Sequence, residues 1–533
     1  MATMAPACID KEINKGLTLV SNLPTQNDSS LPVFRLPPDT LADIFTHGAR
    51  NYYYESTDLP TSRVPDWVNV SYVCRHWRNV ALDCPALWTY HFTVSLRWTE
   101  ELLARSKHAP LKIRIRYDIQ SRVVSWWMDL LGKLLSHGER IQVLHLRVPT
   151  WVIPSNLSVC APPLQVLDVD RPWADPFYGD SIMDGGDSSL RTLKLVDYPF
   201  PWYSLNVSGV TELFLYGVPP GFQQTAKEFL ATLNGMQALI HLHLEHALAS
   251  ARAFLSSGTF ELSPKINLPC LARLSVIAPL STVVALLSCA SIPLNTKLRL
   301  QFECEDGSSV VDYAQIPSLV ARLFDPSKNM SSFSPTMRSL GICCELPSTF
   351  TLLVSEENDC NPLLSMNSLR WDYDLHLVII VGMGEMMTSI IGDHILADIC
   401  RSIPSTDVQT LRVFEPPQSP DFWRKMLGRL HGLRCLGLID GHMPDLAPLL
   451  ALAADNALET LRGYTVTDDR HATAGHIFVP ALEELNLCGI MFADEDGVSE
   501  ASLLDALASR KLLPRLVITD FQADGFDMED DDS

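Results

Sequence analysis

The side chains best suited to chemistry are two histidines and one cysteine. His241 and His243 lie two residues apart in an apolar run, so both would face one side of a strand and could share a metal ion. No third ligand follows at a metal-site spacing, and an isolated pair of this kind is more often structural. Cys74 lies near two cations, Arg75 and Arg78, but no activating base is close to it in sequence. We therefore predict that none of these residues is catalytic.

Short patterns that identify enzyme sites are also missing from the sequence. It contains no HExxH, no GxSxG and no Walker motif. Gly382-Met383-Gly384 is too short for a phosphate loop and lacks the Lys-Ser/Thr ending. The 13 cysteines include no CxxC pair, which argues against a zinc site or a disulfide framework. We predict a protein that is not an enzyme and that holds no metal and no cofactor.

Composition narrows the class of protein further. Of the 533 residues, 47% are hydrophobic and 19% are charged, which is ordinary for folded proteins. The formal net charge of −21 repels phosphate backbones, so we expect no general nucleic-acid binding. No apolar run reaches the roughly 18 residues that a membrane-spanning helix requires. We expect a protein of the cytoplasm or nucleus that is not anchored in a membrane.

Two amphipathic helices are predicted near the start of the chain. The first follows Leu36-Pro37-Pro38-Asp39 and has Leu41, Ile44 and Phe45 on one face. Residues from Asn51 to Pro65 show no sustained period and are interpreted as a loop insertion. The second helix begins at Asp66 and carries these residues at helical spacing: Val70, Val73, Cys74, Trp77, Val80 and Ala81.

Pro85 is expected to end the second helix and to deliver two large apolar residues, Leu87 and Trp88, to the surface. The order of these residues resembles the F-box, in the longer form of many fungal F-box-like sequences. The interval from Phe45 to Val73 is longer than in the compact form, and Gly48 stands where an apolar residue is usual. The resemblance implies a helical domain that binds the Skp adaptor of an SCF ubiquitin ligase and, through it, the cullin scaffold. The matching positions, predicted to contact the adaptor, are Leu36, Pro37, Leu41, Ile44, Phe45, Val73, Cys74, Trp77, Pro85, Leu87 and Trp88.

The physical reason for such a docking surface is the small size of the domain. About 55 residues in three short helices cannot bury every apolar face against one another. A stripe of Leu, Ile, Phe and Trp would then remain for a partner to cover. The alternative is that these residues form only the internal core of a helical cap on the rest of the chain.

Beyond Trp88 an apolar pattern of the form L-x-x-L-x-L recurs at intervals of about 20 to 32 residues, as in leucine-rich repeats. Before these motifs, apolar residues occupy every second position at Tyr90, Phe92 and Val94 and again at Leu111, Ile113 and Ile115, which predicts two strands. A helix is expected between them, from Glu100 to Lys107. Two stretches, Asp306–Pro335 and Leu375–Ile391, do not fit the period, and the second is interpreted as a buried strand with an inserted loop. The motifs begin at Ile141, Leu164, Leu190, Val210, Leu239, Leu271, Met337, Val408, Leu433, Leu482 and Leu513.

Within each motif the last two apolar residues point to one side of a strand and the residue between them points to the other. Stacked strands would present these intervening residues as one row, whose mixed chemistry suits a target protein better than one small molecule. The alternative is an ordinary solvated face, with binding done by loops. The row is His145, Asp168, Lys194, Phe214, His243, Ser275, Arg412, Gly437 and Asn486.

The predicted fold class is therefore α/β: a small all-helical F-box followed by an irregular leucine-rich-repeat-like solenoid, a curved parallel sheet with helices on its outer side. The expected boundaries are a flexible leader at 1–33, the helical domain at 34–92, the repeats at 93–520 and an acidic disordered tail at 521–533. The predicted function is the substrate-recognition adaptor of an SCF-type ubiquitin ligase. The alternatives are a non-ligase repeat scaffold and an unrecognised enzyme that uses the F-box to reach its substrate.

Overall fold

The computed structural model places the chain in two compact units, Met1–Gln223 and Gln224–Ser533. The predicted leader and tail lie outside the described residues. The structure describes residues 36–55, 66–92, 96–116, 124–148, 163–171, 189–198, 207–219, 226–248, 266–293, 295–303, 313–323, 337–345, 349–356, 375–382, 389–403, 407–442, 444, 446, 450, 481–492, 500–510 and 514–519.

The first unit begins with a helical domain built around α1, Pro38–Glu55. Pro38 suits the first turn, where its missing N–H needs no partner, and Asp39 complements the positive end of the helix dipole. A 3₁₀ helix, Asp66–Tyr72, precedes α2, Arg75–Asp83, and a second 3₁₀ helix spans Pro85–Thr89.

Two features of this domain differ from the prediction. Helix α1 continues to Glu55, so the first five residues of the predicted loop, from Asn51, are helical. The single helix predicted from Asp66 is divided, because Cys74 is extended and caps α2 by accepting a hydrogen bond from the Trp77 N–H at 3.4 Å.

Six parallel strands follow in chain order, and each pairs with the next. This is the arrangement that the repeat pattern predicts. Leu, Ile and Val on alternate positions are buried, while the residues between them are mostly half-exposed, so the apolar side forms a core and the other side forms a polar face. The elements are β1 Tyr90–Phe92, α3 Leu96–Ser106, β2 Leu111–Arg116, α4 Val124–Leu135, a 3₁₀ helix at Gly138–Arg140, β3 Ile141–Arg147, β4 Val166–Asp170, β5 Thr192–Val196 and β6 Glu212–Tyr216.

The described elements of the second unit are α5 Ala226–Gly235, β7 His241–Glu245, β8 Ile266–Asn267, β9 Arg273–Pro279, α6 Leu280–Cys289, β10 Ala290–Ser291, β11 Lys297–Glu303, α7 Gln315–Leu323, β12 Ser339–Glu345, β13 Thr349–Ser355, β14 Leu375–Gly382, α8 Ser389–Ser402, β15 Thr410–Phe414, α9 Pro420–Leu427, β16 Cys435–Ile439, β17 Glu484–Cys488, α10 Glu500–Ala508 and β18 Arg515–Thr519. The strands of its larger sheet follow the order β7-β9-β11-β14-β13-β12-β15-β16-β17-β18, and β8 pairs separately with β10. Helices α6, α7, α8 and α9 pack one against the next.

This second sheet is not the all-parallel sheet that was predicted. Strand β13 is antiparallel to both of its neighbours, β12 and β14. Strand β14 comprises the predicted apolar run from Leu375 and lies between β11 and β13, so chain order and spatial order differ here. The β12–β13 hairpin replaces one repeat, and its connection spans only residues 346–348.

Several strands in both units end in a residue with left-handed backbone. Asp197 (φ 52°) follows β5 and Gly217 (φ 60°) follows β6. The Asp197 N–H donates to the Tyr216 carbonyl at 2.8 Å, and a Cβ at Gly217 would lie 2.2 Å from Asp197 Oδ1. The same pair recurs in the second unit, where a Cβ at Gly489 would lie 2.2 Å from Asp440 Oδ1. Gly217 and Gly489 require glycine because, besides the positive φ, the neighbouring aspartate leaves no space for a Cβ.

Candidate functional site

The helical domain has a buried, largely aromatic core, which it shares with Tyr90 of β1 and Leu102 of α3. Leu41 is 1% exposed and Phe45 3%, while Leu87 and Trp88 are fully buried. The Trp88 indole N–H donates to the Ala81 carbonyl at 2.7 Å, which satisfies its only polar atom. The prediction that Leu87 and Trp88 lie at the surface is therefore wrong for this structure, whereas the adaptor contacts predicted for the four residues remain a prediction.

An apolar surface nevertheless remains on the domain. Ile44 is 51% exposed and Val73 is 48% exposed. Ile44 lies on α1, and Val73 lies between the first 3₁₀ helix and α2. Helices α1 and α2 contact each other through the Phe45 and Trp77 rings, whose centroids are 5.0 Å apart. Of the other predicted contact residues, Pro37 is exposed, and four are partly buried: Leu36, Cys74, Trp77 and Pro85.

Tyr53 is a residue of the domain that the sequence analysis assigned to a loop. Its side chain is fully buried, and its hydroxyl donates to the Ile113 carbonyl on β2 at 3.4 Å. Its ring lies 5.3 Å from that of Tyr90 and 6.1 Å from that of His145, and the Arg114 guanidinium carbon is 4.4 Å from its centre. Helix α1 therefore packs directly on the polar face of β1–β3.

A sequence signal for Tyr53 was available. Leu41, Phe45, Ala49 and Tyr53 recur every four residues, which is the spacing of one helix face. All four are buried. The polar composition around Tyr53 concealed the continuation of this face.

The structure brings together the first four residues of the predicted target-binding row. His145, Asp168, Lys194 and Phe214 occupy paired positions on β3, β4, β5 and β6. His145 Nδ1 lies 3.1 Å from Asp168 Oδ2, and Lys194 Nζ lies 3.7 Å from the same oxygen. Asp168 thus joins its two neighbours across three strands, and all four side chains are partly exposed.

The rest of the predicted row does not form one accessible line in the second unit. Arg412 and Asn486 flank Gly437 in register and are half-buried. His243 is only 6% exposed and Ser275, its partner in register, is fully buried, so neither side chain is accessible on this face. Strands β11, β14, β13 and β12 also separate β9 from β15.

A second row of paired residues, called the second band, crosses the polar face two residues further along the strands. It comprises Arg116, Arg147, Asp170, Val196 and Tyr216, each paired with the next. Arg147 Nε lies 3.3 Å from Asp170 Oδ2. Burial raises the pKa of the Asp170 carboxyl, and the Arg147 charge opposes this effect.

His243 is the candidate chemical group whose contact the structure describes most directly. His243 Nε2 approaches Glu245 Oε2 at 3.4 Å, and no group of three His, Cys, Asp or Glu side chains is placed to hold a metal ion within the described residues. A cleft of about 480 Å³ beside α7 and α8 is lined in part by Asp398 and Arg401, which pair at 3.5 Å. Among the described helices, none is both long and apolar enough to cross a membrane.

Comparison with known families decides the nature of the helical domain. Residues 33–93 match the F-box-like family model. No curated protein matches the chain. F-box domains typically bind the Skp adaptor in SCF complexes, so the match indicates a role in F-box-type protein interactions. The matched span includes α1, which carries Ile44, both 3₁₀ helices, α2, and Val73 between the first 3₁₀ helix and α2.

Proposed function

We propose that this protein is the substrate-recognition adaptor of an SCF-type ubiquitin ligase. Its F-box-like domain binds the Skp adaptor and, through it, the cullin scaffold, and the polar face of β2–β6 binds a target protein. The observation that carries the proposal is the exposure of Ile44 and Val73 on a matched F-box-like domain whose other described large apolar side chains are buried or partly buried.

The surroundings of Ile44 suit an interface. On α1, Thr40 lies four residues before Ile44 and His47 three residues after it, and both are exposed, so a polar rim borders the apolar side chain. Burying such an anchor in a partner contributes far more than the rim contacts do. The buried core beneath it, including Phe45, holds the backbone of α1 in place.

The protein itself makes and breaks no bond in this proposal. It acts in the cytoplasm or nucleus without metal or cofactor, and it holds the target near the ubiquitin-charged enzyme. Tethering raises the effective concentration of the two reactants, which is sufficient to accelerate transfer.

The test is binding of the purified chain to recombinant Skp adaptor. Replacing Ile44 and Val73 together with aspartate is expected to weaken binding by at least about 2 kcal/mol, or roughly thirty-fold in Kd. Ile518→Asp is the matched control, because Ile518 is 55% exposed and lies on β18, outside the F-box-like domain. It should leave Kd unchanged. Equal losses in both variants, with both still folded by circular dichroism, would refute the proposed interface.

A second candidate is a scaffold that holds partners without a ligase. It is favoured by the burial of Leu41, Phe45, Leu87 and Trp88, since a helical cap whose signature residues are internal also stabilises the end of a sheet. Failure of the folded wild-type chain to bind the Skp adaptor would select this function.

A further inference from the structure

The cleft beside α7 and α8 lies within the second unit, where these two helices pack together. Its volume of about 480 Å³ lies within the range of roughly 300–1,000 Å³ that is usual for pockets of small molecules. Short side chains form part of its lining: Ala314 directly before α7, Pro317 in the first turn of α7 and Ser402 at the end of α8. They leave a space between the helices that longer side chains would fill.

Helix α8 supplies an apolar and a charged part of the lining. Ile395 lines the cleft and is buried. His394, Asp398 and Arg401 also line it and follow at helical spacing, so they share one side of α8. Asp398 Oδ1 lies 3.5 Å from Arg401 Nη1, and the two side chains are 46% and 50% exposed. The cleft therefore combines apolar packing with charges that solvent can reach.

Two further cations lie next to the cleft without a carboxylate of their own. Lys425 Nζ on α9 lies 3.3 Å from His394 Nδ1. An ammonium group can only donate, so the ring nitrogen accepts and the imidazole is neutral. Arg429 follows α9 and donates to the backbone carbonyl of Arg401. Among the described residues, neither Lys425 nor Arg429 forms an ion pair with a carboxylate, although the whole chain has a formal net charge of −21.

We propose that this cleft binds a small organic anion. Its compact apolar group packs on Ile395 and Pro317, and its carboxylate or phosphate binds Arg401 and Lys425. Charge complementarity selects an anion, because Lys425 then exchanges a neutral partner for a charged one, and such hydrogen bonds are stronger. The volume selects a compound of one or two rings. The site lies outside both the F-box-like domain and the proposed target-binding face, so the inference is independent of the proposed function.

The probes are 2-naphthyl phosphate and 2-naphthoate, each compared with the neutral 2-naphthol and titrated against the full chain by saturation-transfer difference NMR. We expect saturable binding of at least one anion, and the tighter of the two shows whether phosphate or carboxylate is preferred. Arg401→Gln with Lys425→Gln is expected to weaken binding about ten-fold, and added salt should weaken it further. Arg434→Gln is the matched control, because Arg434 is an exposed arginine that pairs with Glu483 elsewhere in the second unit. It should leave Kd unchanged.

Two variants of the cleft itself give opposite expected results. Asp398→Asn removes the carboxylate that competes for Arg401 and repels the ligand, so it is expected to tighten binding about two- to three-fold. Ala314→Trp places an indole in the cleft and is expected to weaken binding at least about ten-fold. Ala508→Trp is its control, because Ala508 is an exposed alanine at the end of α10. It should bind both probes as the wild type does.

The inference is overturned if neither anion shows saturable binding below about 1 mM, if 2-naphthol binds as tightly as the anions, or if Asp398→Asn weakens binding. Equal effects of Ala314→Trp and Ala508→Trp also overturn it, because the probe would then bind elsewhere. Tighter binding of a glutamate-rich peptide than of either probe would identify a surface for a protein partner and refute the small-molecule assignment. Binding to the Skp adaptor is measured separately, so failure of this inference leaves the adaptor interface standing.

Discussion

Replacing Tyr53 with alanine tests whether α1 is fixed to the sheet. Tyr53 is fully buried, and its ring contacts side chains of three strands: Tyr90 on β1, Arg114 on β2 and His145 on β3. The substitution removes these contacts and opens a cavity between the helix and the polar face. We expect a large loss of stability in the first unit.

The magnitude follows from the size of the ring. A buried aromatic side chain removes roughly 150–250 Å² from water, which corresponds to about 4–6 kcal/mol at about 25 cal/mol per Å². Residual burial in the unfolded chain reduces this figure, and measured truncations of buried aromatic residues cost about 3–5 kcal/mol. The hydroxyl contributes little because its bond to Ile113 is long, at 3.4 Å. We therefore expect Tyr53→Ala to lower the free energy of unfolding by about 3–4 kcal/mol and Tyr53→Phe by less than about 1 kcal/mol.

The assay is urea denaturation followed by far-UV circular dichroism, with hydrogen exchange reporting separately on α1 and β2. Tyr52→Ala is the internal comparison, because Tyr52 is only partly buried on the same helix. The reasoning fails if Tyr52→Ala costs as much as Tyr53→Ala. It also fails if Tyr53→Phe costs as much as Tyr53→Ala, because the stabilisation would then come from the hydroxyl.

Three further predictions use the same preparations. Gly217→Ala should lower the free energy of unfolding by about 1–2 kcal/mol. Gly132→Ala should raise it by about 0.5–1 kcal/mol, because Gly132 lies in helix α4 with open space around the new Cβ. If urea titrations show that both variants change the free energy of unfolding in the same direction, the turn geometry is contradicted. Because the pKa of Asp170 is raised by burial, its charged form is disfavoured in the folded chain, so stability falls as pH rises through that pKa. Asp170→Asn should therefore stabilise the chain at pH 7, and the difference should shrink to nothing below about pH 4; a constant difference in urea midpoints would refute it. Cys270 is exposed and Cys400 is buried with a raised pKa, so iodoacetamide at pH 8 should label the first rapidly and the second only after unfolding, as read by peptide mass mapping.

The sequence predicted most strands because a strand with one buried side has apolar residues at every second position. Each recurring motif coincides with a strand, as in β5, where Leu193 and Leu195 are buried. Strand β11 was missed although Leu298 and Leu300 are in register with the motif of β9. Asn295 stands where the motif has its first apolar residue, so the pattern was broken before the strand began.

The order of the strands in the sheet could not be predicted from any local pattern of residues. The run Val378–Val381 is apolar at every position, which predicts a buried strand but not its neighbours. Strand β14 pairs with β11 and β13, and β12 pairs with β15, so the polypeptide passes over two strand positions before returning. Long-range pairing of this kind depends on tertiary packing that no local period records.

The helical domain shows a different limit of periodicity. The spacing of Leu41, Ile44 and Phe45 correctly predicted one helix with an apolar side, but it did not separate the residues that face the core from the one that faces outward. A turn of 3.6 residues rotates Ile44 about 60° from Leu41 and about 100° from Phe45. That rotation, together with the position of α2, leaves Ile44 exposed and the other two buried.

Helix α1 connects the two proposed binding surfaces of the first unit. It carries the exposed Ile44 near its start and the buried Tyr53 near its end, about 13 Å apart at 1.5 Å per residue. Because Tyr53 is fixed among Tyr90, Arg114 and His145, the exposed Ile44 on the same helix cannot move independently of the polar face. In the proposed function, a target bound beside Arg147 is held at a fixed distance from the ligase. A flexible connection would instead spread the target over a range of positions and lower its effective concentration. Tyr53→Ala should therefore reduce ubiquitin transfer more than it reduces binding of either partner.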